Sequence, residues 1–143
     1  MTVATIVRHV PVTPEKAFAA WTDPETMGSF WTANPDWPVV EVSIDPRPGG
    51  AFRVSFQPPG QTPLVEEGTF DVFDPPHRIE YLEHVRSGQQ TVHGPAPTTV
   101  TFKALGGGTE VRVDSTVLPG EDKAGRERGW GNSLDLFVAV LVS

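Results

Sequence analysis

Two glutamates stand where a β-strand pattern directs side chains toward an apolar interior. Glu66 has the same strand parity as the apolar Phe70. Glu83 has the parity of Tyr81 on the next predicted strand. A hairpin centred on residues 74–77 would place Phe70 opposite Tyr81, so that the two carboxyl groups lie diagonally, about 7–8 Å apart. Mutual repulsion would then keep one carboxyl protonated, which suits general acid–base chemistry. The alternative is that both lie near strand ends, on a solvated cavity rim.

Tyr81 is the only tyrosine in the chain. If it points inward, its hydroxyl needs a hydrogen-bond partner or a ligand. It could orient a carbonyl or hydroxyl group of a bound molecule, or it could be an ordinary core tyrosine with an internal partner. Glu66, Glu83 and Tyr81 are therefore the candidate catalytic residues. They leave enzymatic activity uncertain, and the pattern as a whole favours binding over catalysis.

The four histidines do not form a metal-binding pattern. They are His9, His77, His84 and His93. None has the i, i+4 spacing of a helical metal site, and we expect all four at the surface, with His93 in a polar loop over residues 87–97. The glycines at 106–108 join two predicted strands, so they do not form a phosphate-binding loop before a helix. We predict no metal and no cofactor.

The amino-acid composition limits which partners the protein can bind and in which compartment we expect it. The formal net charge is −7, the sequence pI is about 4.9, and no run of Lys or Arg occurs. Nucleic acid and anionic membranes bind basic surfaces, so we exclude both as partners. The chain lacks cysteine, and its longest apolar run, Leu136–Val142, falls short of the ~20 residues that span a bilayer. The N-terminus does not resemble a signal peptide. We therefore expect a cytoplasmic protein.

The helical segments are short near the N-terminus and long at the C-terminus. After a first strand over residues 2–10, Thr13-Pro14 and Asp23-Pro24 each predict the start of a short helix. From Lys123 onward one apolar stripe follows helical spacing. Its members are Trp130, Leu134, Phe137 and Leu141.

The segment between these helices alternates with a period of two, which predicts strands. The predicted strands cover residues 40–44, 52–56, 64–73, 78–85, 100–104 and 111–117. Hairpin spacing without intervening helices predicts an antiparallel sheet of six or seven strands. The tight turn at residues 74–77 would also place Val72 opposite Ile79. Strong twist would curve the sheet around the terminal helix, leaving an aromatic concave face and a ligand cavity. The predicted ligand contacts are Trp31, Phe52, Val54, Phe56, Phe70, Tyr81, Phe102, Trp130, Leu134 and Phe137.

Five segments in a fixed order resemble a known family. They are residues 14–24 (PEKAFAAWTDP) followed by Trp31, residues 45–53 (DPRPGGAFR), residues 68–81 (GTFDVFDPPHRIEY), residues 107–111 (GGTEV) and residues 129–130 (GW). The set resembles the activator of Hsp (ninety-kDa heat-shock protein) ATPase homologue-like family, within the START-like, or SRPBCC, superfamily. This resemblance implies one α+β helix-grip domain over residues 1–143.

The resemblance and the residue pattern together suggest three functions. We expect binding of a small, mostly apolar molecule, lipid-like or aromatic and polyketide-like, between the sheet and the terminal helix. The alternatives are an enzyme of the cyclase or dehydratase type in the same cavity, and a protein-interaction module such as a chaperone ATPase regulator. The apolar end of the terminal helix also suggests a possible homodimer.

Overall fold

The computed structural model describes residues 2–142 and has three helices and seven strands within that range. In chain order, the elements are β1 (Thr2–Val10), α1 (Pro14–Trp21), α2 (Pro24–Phe30), β2 (Val39–Ile44), β3 (Ala51–Phe56), β4 (Leu64–Asp74), β5 (Arg78–Ser87), β6 (Gln90–Leu105), β7 (Gly108–Val117) and α3 (Lys123–Val142).

The strands form one curved sheet in the order β1-β7-β6-β5-β4-β3-β2. Every neighbouring pair is antiparallel, and β1 pairs with β7, the last strand in sequence. The long helix α3 packs against the sheet and against α2. The predicted α+β helix-grip fold is therefore confirmed, with seven strands. Within residues 2–142, no helix has the length and apolar character needed to cross a membrane.

The two short helices begin where the sequence predicts. The Thr13 side chain accepts a hydrogen bond from the backbone N–H of Lys16, at 3.3 Å. The Asp23 side chain accepts one from the backbone N–H of Thr26, at 2.9 Å. In both helices a proline occupies the first turn, where its missing N–H costs no hydrogen bond. The helix α1 packs against β6 and β7, and α2 packs against β2 and α3.

Aromatic side chains close one end of the space between the sheet and α3. Trp21 is 1% exposed, and five rings have centroids between 4.9 and 6.4 Å from its own. These five rings belong to Phe30, Trp31, Phe102, Trp130 and Phe137. Edge-to-face and offset contacts of this kind add to the free energy gained from burial. This end of the fold is a packed core.

The register between β4 and β5 differs from the prediction at one position. Phe70 pairs with Tyr81, as predicted, but Ile79 pairs with Phe73 instead of Val72. A bulge between Phe70 and Val72 adds one residue to β4, which shifts the pairing beyond it. Phe73 consequently packs against Phe70, with ring centroids 5.1 Å apart.

The predicted loop over residues 87–97 is wrong, because most of it belongs to β6. The β5 strand continues to Ser87, and β6 starts at Gln90 after a turn in which Gly88 has φ +60°. Two register shifts follow, one between Glu83 and Val85 and one between Val85 and Arg86. These irregularities bring residue 93 to the inner side of the hairpin, close to the terminal helix.

Candidate functional site

A cavity of about 370 Å³ lies at the other end of the space between the sheet and α3. Large apolar side chains form much of its wall. These are Trp31, Phe56, Leu64, Val85, Val92 and Trp130. Ionisable side chains from three strands, from α3 and from the segment before it complete the lining. These are Glu66, Glu83, His93, Glu121, Asp122 and Arg126. The cavity thus has apolar walls and one strongly polar end.

Glu83 on β5 is the centre of the polar end, and its carboxylate is 2% exposed. Its Oε1 accepts hydrogen bonds from Arg126 Nη2 at 2.7 Å, from Thr98 Oγ1 at 3.1 Å and from Ser115 Oγ at 3.4 Å. Arg126 Nε also donates to Ser115 Oγ, at 3.1 Å. Burial disfavours the carboxylate, but His93 and Arg126 outweigh that effect and lower the pKa of Glu83.

His93 lies between two carboxylates. Its Nε2 is 3.4 Å from Glu83 Oε1, and its Nδ1 is 2.6 Å from Glu121 Oε2. Burial favours the neutral imidazole, but the two carboxylates outweigh it and raise the pKa of His93. Gly94 permits this arrangement: its φ is +88°, and a Cβ there would collide with the Glu83 carbonyl oxygen. The β6 backbone can therefore lie directly against Glu83.

Glu121 connects His93 to the segment that leads into α3. Its Oε1 accepts a hydrogen bond from the backbone N–H of Leu118, at 2.8 Å. Partial burial raises the pKa of Glu121, but the hydrogen bonds from His93 and Leu118 outweigh it, so the net pKa is lowered. The Glu121 side chain is 20% exposed, so the network reaches solvent at this point.

Glu66 on β4 differs from the other carboxyl groups because burial and the neighbouring Glu83 charge raise its pKa well above 4.5. It is 5% exposed, and its Oε2 accepts a hydrogen bond from the Tyr81 hydroxyl at 3.2 Å. Burial, together with the Glu66 and Glu83 charges, raises the pKa of Tyr81 well above 10. The raised pKa values favour the uncharged forms of Glu66 and Tyr81, whereas the lowered pKa of Glu83 favours its carboxylate.

Acidic and basic groups are paired at this polar end. The lowered pKa values of Glu83 and Glu121 favour their carboxylates, and the raised pKa of His93 favours its cation beside Arg126. Asp122 lies on the exposed rim and contacts Arg128, and the raised pKa of Glu66 favours its uncharged form. A buried cluster tolerates its own desolvation only when such pairing and hydrogen bonding are nearly complete. Two buried nitrogens nevertheless lack a well-formed hydrogen bond, Trp31 Nε1 and His93 Nε2.

The structure brings the three candidate catalytic residues together. Glu66 and Glu83 line the cavity, and Tyr81 lies behind Glu66 as its hydrogen-bond donor. The interpretation of both glutamates as solvated rim residues is wrong, because Glu66 is 5% and Glu83 1% exposed. Their catalytic role stays a prediction.

The ten predicted ligand contacts divide into two groups. Trp31, Phe56 and Trp130 line the cavity. The other seven belong to the buried core and do not line it; they are Phe52, Val54, Phe70, Tyr81, Phe102, Leu134 and Phe137. Their part in binding a ligand stays a prediction, and in the structure they pack within the hydrophobic core.

His93, Glu121 and Arg126 were not among the site residues predicted from the sequence. The prediction that His93 lies at the surface is wrong, since it is 4% exposed. A signal for Arg126 was present: it precedes Trp130 by one helical turn and so extends the apolar stripe of α3 with a cation. In the described part of the chain, residues 2–142, no cluster of His, Asp and Glu has the arrangement of a metal site.

A curved antiparallel sheet that holds a long terminal helix and a lined cavity defines a START-like protein of the helix-grip class. The family model described as Activator of Hsp90 ATPase homolog 1-like protein matches residues 11–142. The chain belongs to this family, which confirms the resemblance noted from its motifs.

Solved bacterial structures share the fold. A putative uncharacterised protein from Rhizobium leguminosarum is 24% identical with a TM-score of 0.86, and the match covers 99% of this chain and 94% of that one. An AHSA1-like protein from Aeromonas hydrophila is 23% identical with a TM-score of 0.82, covering 96% and 90%. Protein CV1439 from Chromobacterium violaceum is 21% identical with a TM-score of 0.81, covering 100% and 99%. A comparison with curated proteins gives no significant match.

Proposed function

We propose that this protein binds a small, mostly apolar molecule in the cavity between the sheet and α3. The observation that carries the proposal is the cavity of about 370 Å³, whose aromatic and aliphatic walls converge on one polar end. Ligand sites typically combine predominantly apolar walls with a few fixed polar groups in this way. The apolar wall provides the driving force for binding, and the polar end fixes the orientation of the ligand.

The size of the cavity limits the ligand. Ligand pockets span about 300–1,000 Å³, so a cavity of about 370 Å³ stands at the small end of that range. The packed aromatic core closes the other end of the fold and prevents the cavity from extending along α3. A compact aromatic or polyketide-like molecule or a short lipid-like molecule therefore fits better than a long-chain lipid.

Native mass spectrometry of freshly purified protein tests the proposal, together with a thermal-shift screen of compact aromatic molecules and short acyl compounds. A ligand at a free concentration of about 100 times its Kd should add about 2.7 kcal/mol to the free energy of unfolding. Val85→Phe, which fills the cavity from its wall, should abolish that shift. Val7→Phe is the matched control, because Val7 is 43% exposed on β1 and does not line the cavity. A shift that survives Val85→Phe would contradict binding at this site.

Acid–base catalysis in the same cavity is a second candidate, of the cyclase or dehydratase type. The observation that favours it is the pair Glu66 and Glu83, whose pKa values are displaced in opposite directions. Such pairs supply an acid and a base at one pH. Ligands found in the binding screen can be incubated in D₂O and followed by NMR for deuterium incorporation. Exchange that depends on Glu66, and is lost in Glu66→Gln with binding retained, would support catalysis; binding without exchange would leave a binding protein.

Partner binding by the whole domain stays a prediction. The family description suggests regulation of a chaperone ATPase, and the apolar end of α3, where Val142 is 60% exposed, suggests a homodimer. A pull-down with purified chaperone tests the first, and light scattering tests the second. Cytoplasmic location likewise stays a prediction.

A further inference from the structure

We infer that the ligand carries a neutral acceptor oxygen, such as a ketone, ester or amide carbonyl, which is held by the Trp31 indole N–H at the polar end of the cavity. This inference rests on the proposed function. It specifies the chemical class of the ligand, which cavity shape alone does not define.

The starting observation is an unmatched donor. Trp31 is 3% exposed and lines the cavity, and its Nε1 has no hydrogen-bond partner. The indole nitrogen can only donate. An unsatisfied buried donor costs about 1–3 kcal/mol, so one in a cavity wall indicates an acceptor supplied from the cavity.

Two internal carboxyl groups could compete with a ligand for the indole N–H. Glu83 Oε1 already accepts from Arg126, Thr98 and Ser115. The Trp31 indole interacts with the Glu66 carboxyl and lowers its pKa, but no well-formed hydrogen bond joins the two groups, and burial and the Glu83 charge raise that pKa, which favours the protonated form. A protonated carboxyl is a weaker acceptor than a carboxylate and offers an O–H of its own.

A second nitrogen with a poor internal hydrogen bond lies in the same wall. His93 Nε2 is buried and 3.4 Å from Glu83 Oε1, without the geometry of a good hydrogen bond. Its Nδ1 is engaged by Glu121, and the raised pKa of His93 favours a proton on both ring nitrogens. Two N–H groups of the polar end thus lack a well-formed hydrogen bond, which an acceptor oxygen of the ligand would supply.

The charge balance selects a neutral acceptor over an anion. Two carboxylates, Glu83 and Glu121, already pair with the two cations, His93 and Arg126. A ligand carboxylate would bring a third negative charge into a buried site, where an uncompensated charge is strongly unfavourable. An ammonium group has no lone pair with which to accept a hydrogen bond from the Trp31 N–H. A carbonyl oxygen satisfies the N–H groups without disturbing the pairing.

Three naphthalene probes of similar size test the inference: 2-acetylnaphthalene, 2-ethylnaphthalene and 2-naphthoate. Isothermal titration calorimetry on the wild-type protein should show the ketone binding about three- to tenfold more tightly than the hydrocarbon, the range expected for one hydrogen bond. The carboxylate should bind least well. Trp31→Phe should remove the preference for the ketone and leave the affinity for 2-ethylnaphthalene nearly unchanged.

Trp130→Phe is the matched control, since it removes an indole from the same cavity wall. It should weaken the ketone and the hydrocarbon by the same factor. In case Trp31→Phe does not fold, the infrared stretch of a ¹³C-labelled carbonyl can be measured in the wild-type complex. A hydrogen bond lowers that frequency relative to the same ketone in hexane.

The outcomes separate this inference from the proposed function. If none of the probes binds, the binding proposal loses its support, and the inference falls with it. If the ketone and the hydrocarbon bind equally, or the carbonyl stretch matches that in hexane, the cavity binds ligands without the predicted hydrogen bond. Tighter binding of 2-naphthoate would overturn the neutral-acceptor class specifically.

Discussion

Arg126 on α3 extends into the protein and contacts Glu83 on β5, with Nη2 2.7 Å from Oε1. Their side chains are 16% and 2% exposed. This ion pair holds the N-terminal half of α3 against the sheet. The following turns of α3 are held by the packing of Leu134 and Phe137 in the hydrophobic core. The cavity lies beside the charged contact, so the same ion pair holds the helix and shapes the site.

Loss of one partner of this pair should be strongly destabilising. We expect Arg126→Gln to lower the free energy of unfolding by about 3–5 kcal/mol, because the buried Glu83 would lose the guanidinium group that lies 2.7 Å from its carboxylate. Urea denaturation measures the change. Arg128→Gln is the control. Arg128 lies 3.5 Å from Asp122, and the two side chains are 70% and 69% exposed. Loss of such an exposed ion pair should leave stability nearly unchanged. Equal effects of the two substitutions would contradict a structural role for the buried pair.

The two glutamates of the cavity should respond oppositely to removal of their charge. Glu66→Gln should preserve or increase stability near pH 8, because burial and Glu83 already disfavour the charged form, and the amide oxygen can still accept from Tyr81. Glu83→Gln should destabilise, because it leaves Arg126 without its carboxylate. Thermal unfolding of both variants provides the comparison. A loss of stability in Glu66→Gln as large as that in Glu83→Gln would mean that Glu66 is ionised.

Stability should be greatest in slightly acidic solution. The folded pKa of His93 is raised above 6.5, so its contribution is complete below about pH 6.5 and is lost as pH rises through the folded value. The pKa of Glu66 is raised above 4.5 and acts in the same direction. Glu83 and Glu121 have lowered pKa values, so their contributions are present above about pH 4.5 and are lost as pH falls through the folded values.

His93→Gln isolates the histidine part of this dependence. The difference in free energy of unfolding between wild type and His93→Gln should shrink as pH rises from about 6 to about 9, because the imidazolium that contacts Glu83 and Glu121 is lost. Urea denaturation at each pH measures it. His77→Gln is the control, since His77 lies in an exposed turn. A difference that is constant with pH would show that His93 is not protonated in the folded state.

Two glycines should respond in opposite directions to replacement by alanine. At Gly68, a Cβ would lie 2.8 Å from the Leu82 carbonyl oxygen and 2.9 Å from Phe52 Cε1. Gly68→Ala should therefore cost about 1–3 kcal/mol through overpacking. At Gly28 in α2 a Cβ would meet nothing within 4 Å. Gly28→Ala should stabilise by up to about 1 kcal/mol, because alanine has the higher helix propensity. Chemical denaturation of both variants tests the pair, and a mild effect of Gly68→Ala would contradict the close packing of β3 on β4.

The elements of the fold were predictable because their signals are local. Thr13 and Asp23 cap their helices through hydrogen bonds to residues three positions later, which do not depend on the tertiary structure. The alternation in the strands follows from the burial of one face of the sheet. The bulge after Phe70 was not predictable, because it depends on how Phe73 packs in three dimensions. A bulge changes the parity of every residue beyond it.

The site was predictable in part. Glu66 and Glu83 have inward parity within regular strands, and three of the predicted aromatic contacts line the cavity. His93 follows a tight turn and two register shifts, so alternation along β5 does not predict its position. Most of the predicted apolar contacts do not line the cavity, because large rings at one end of the fold pack against each other and leave no space, while the cavity lies at the end where charged groups are found.

The terminal helix follows all seven strands in the sequence, and this order has a consequence for biosynthesis. The strands are synthesised before residues 123–142, so the aromatic side of the sheet is made before the helix that covers it. Until the helix docks, this apolar surface is exposed on the nascent chain. The yield of native protein then depends on how quickly the helix docks, relative to the encounter of two such exposed surfaces.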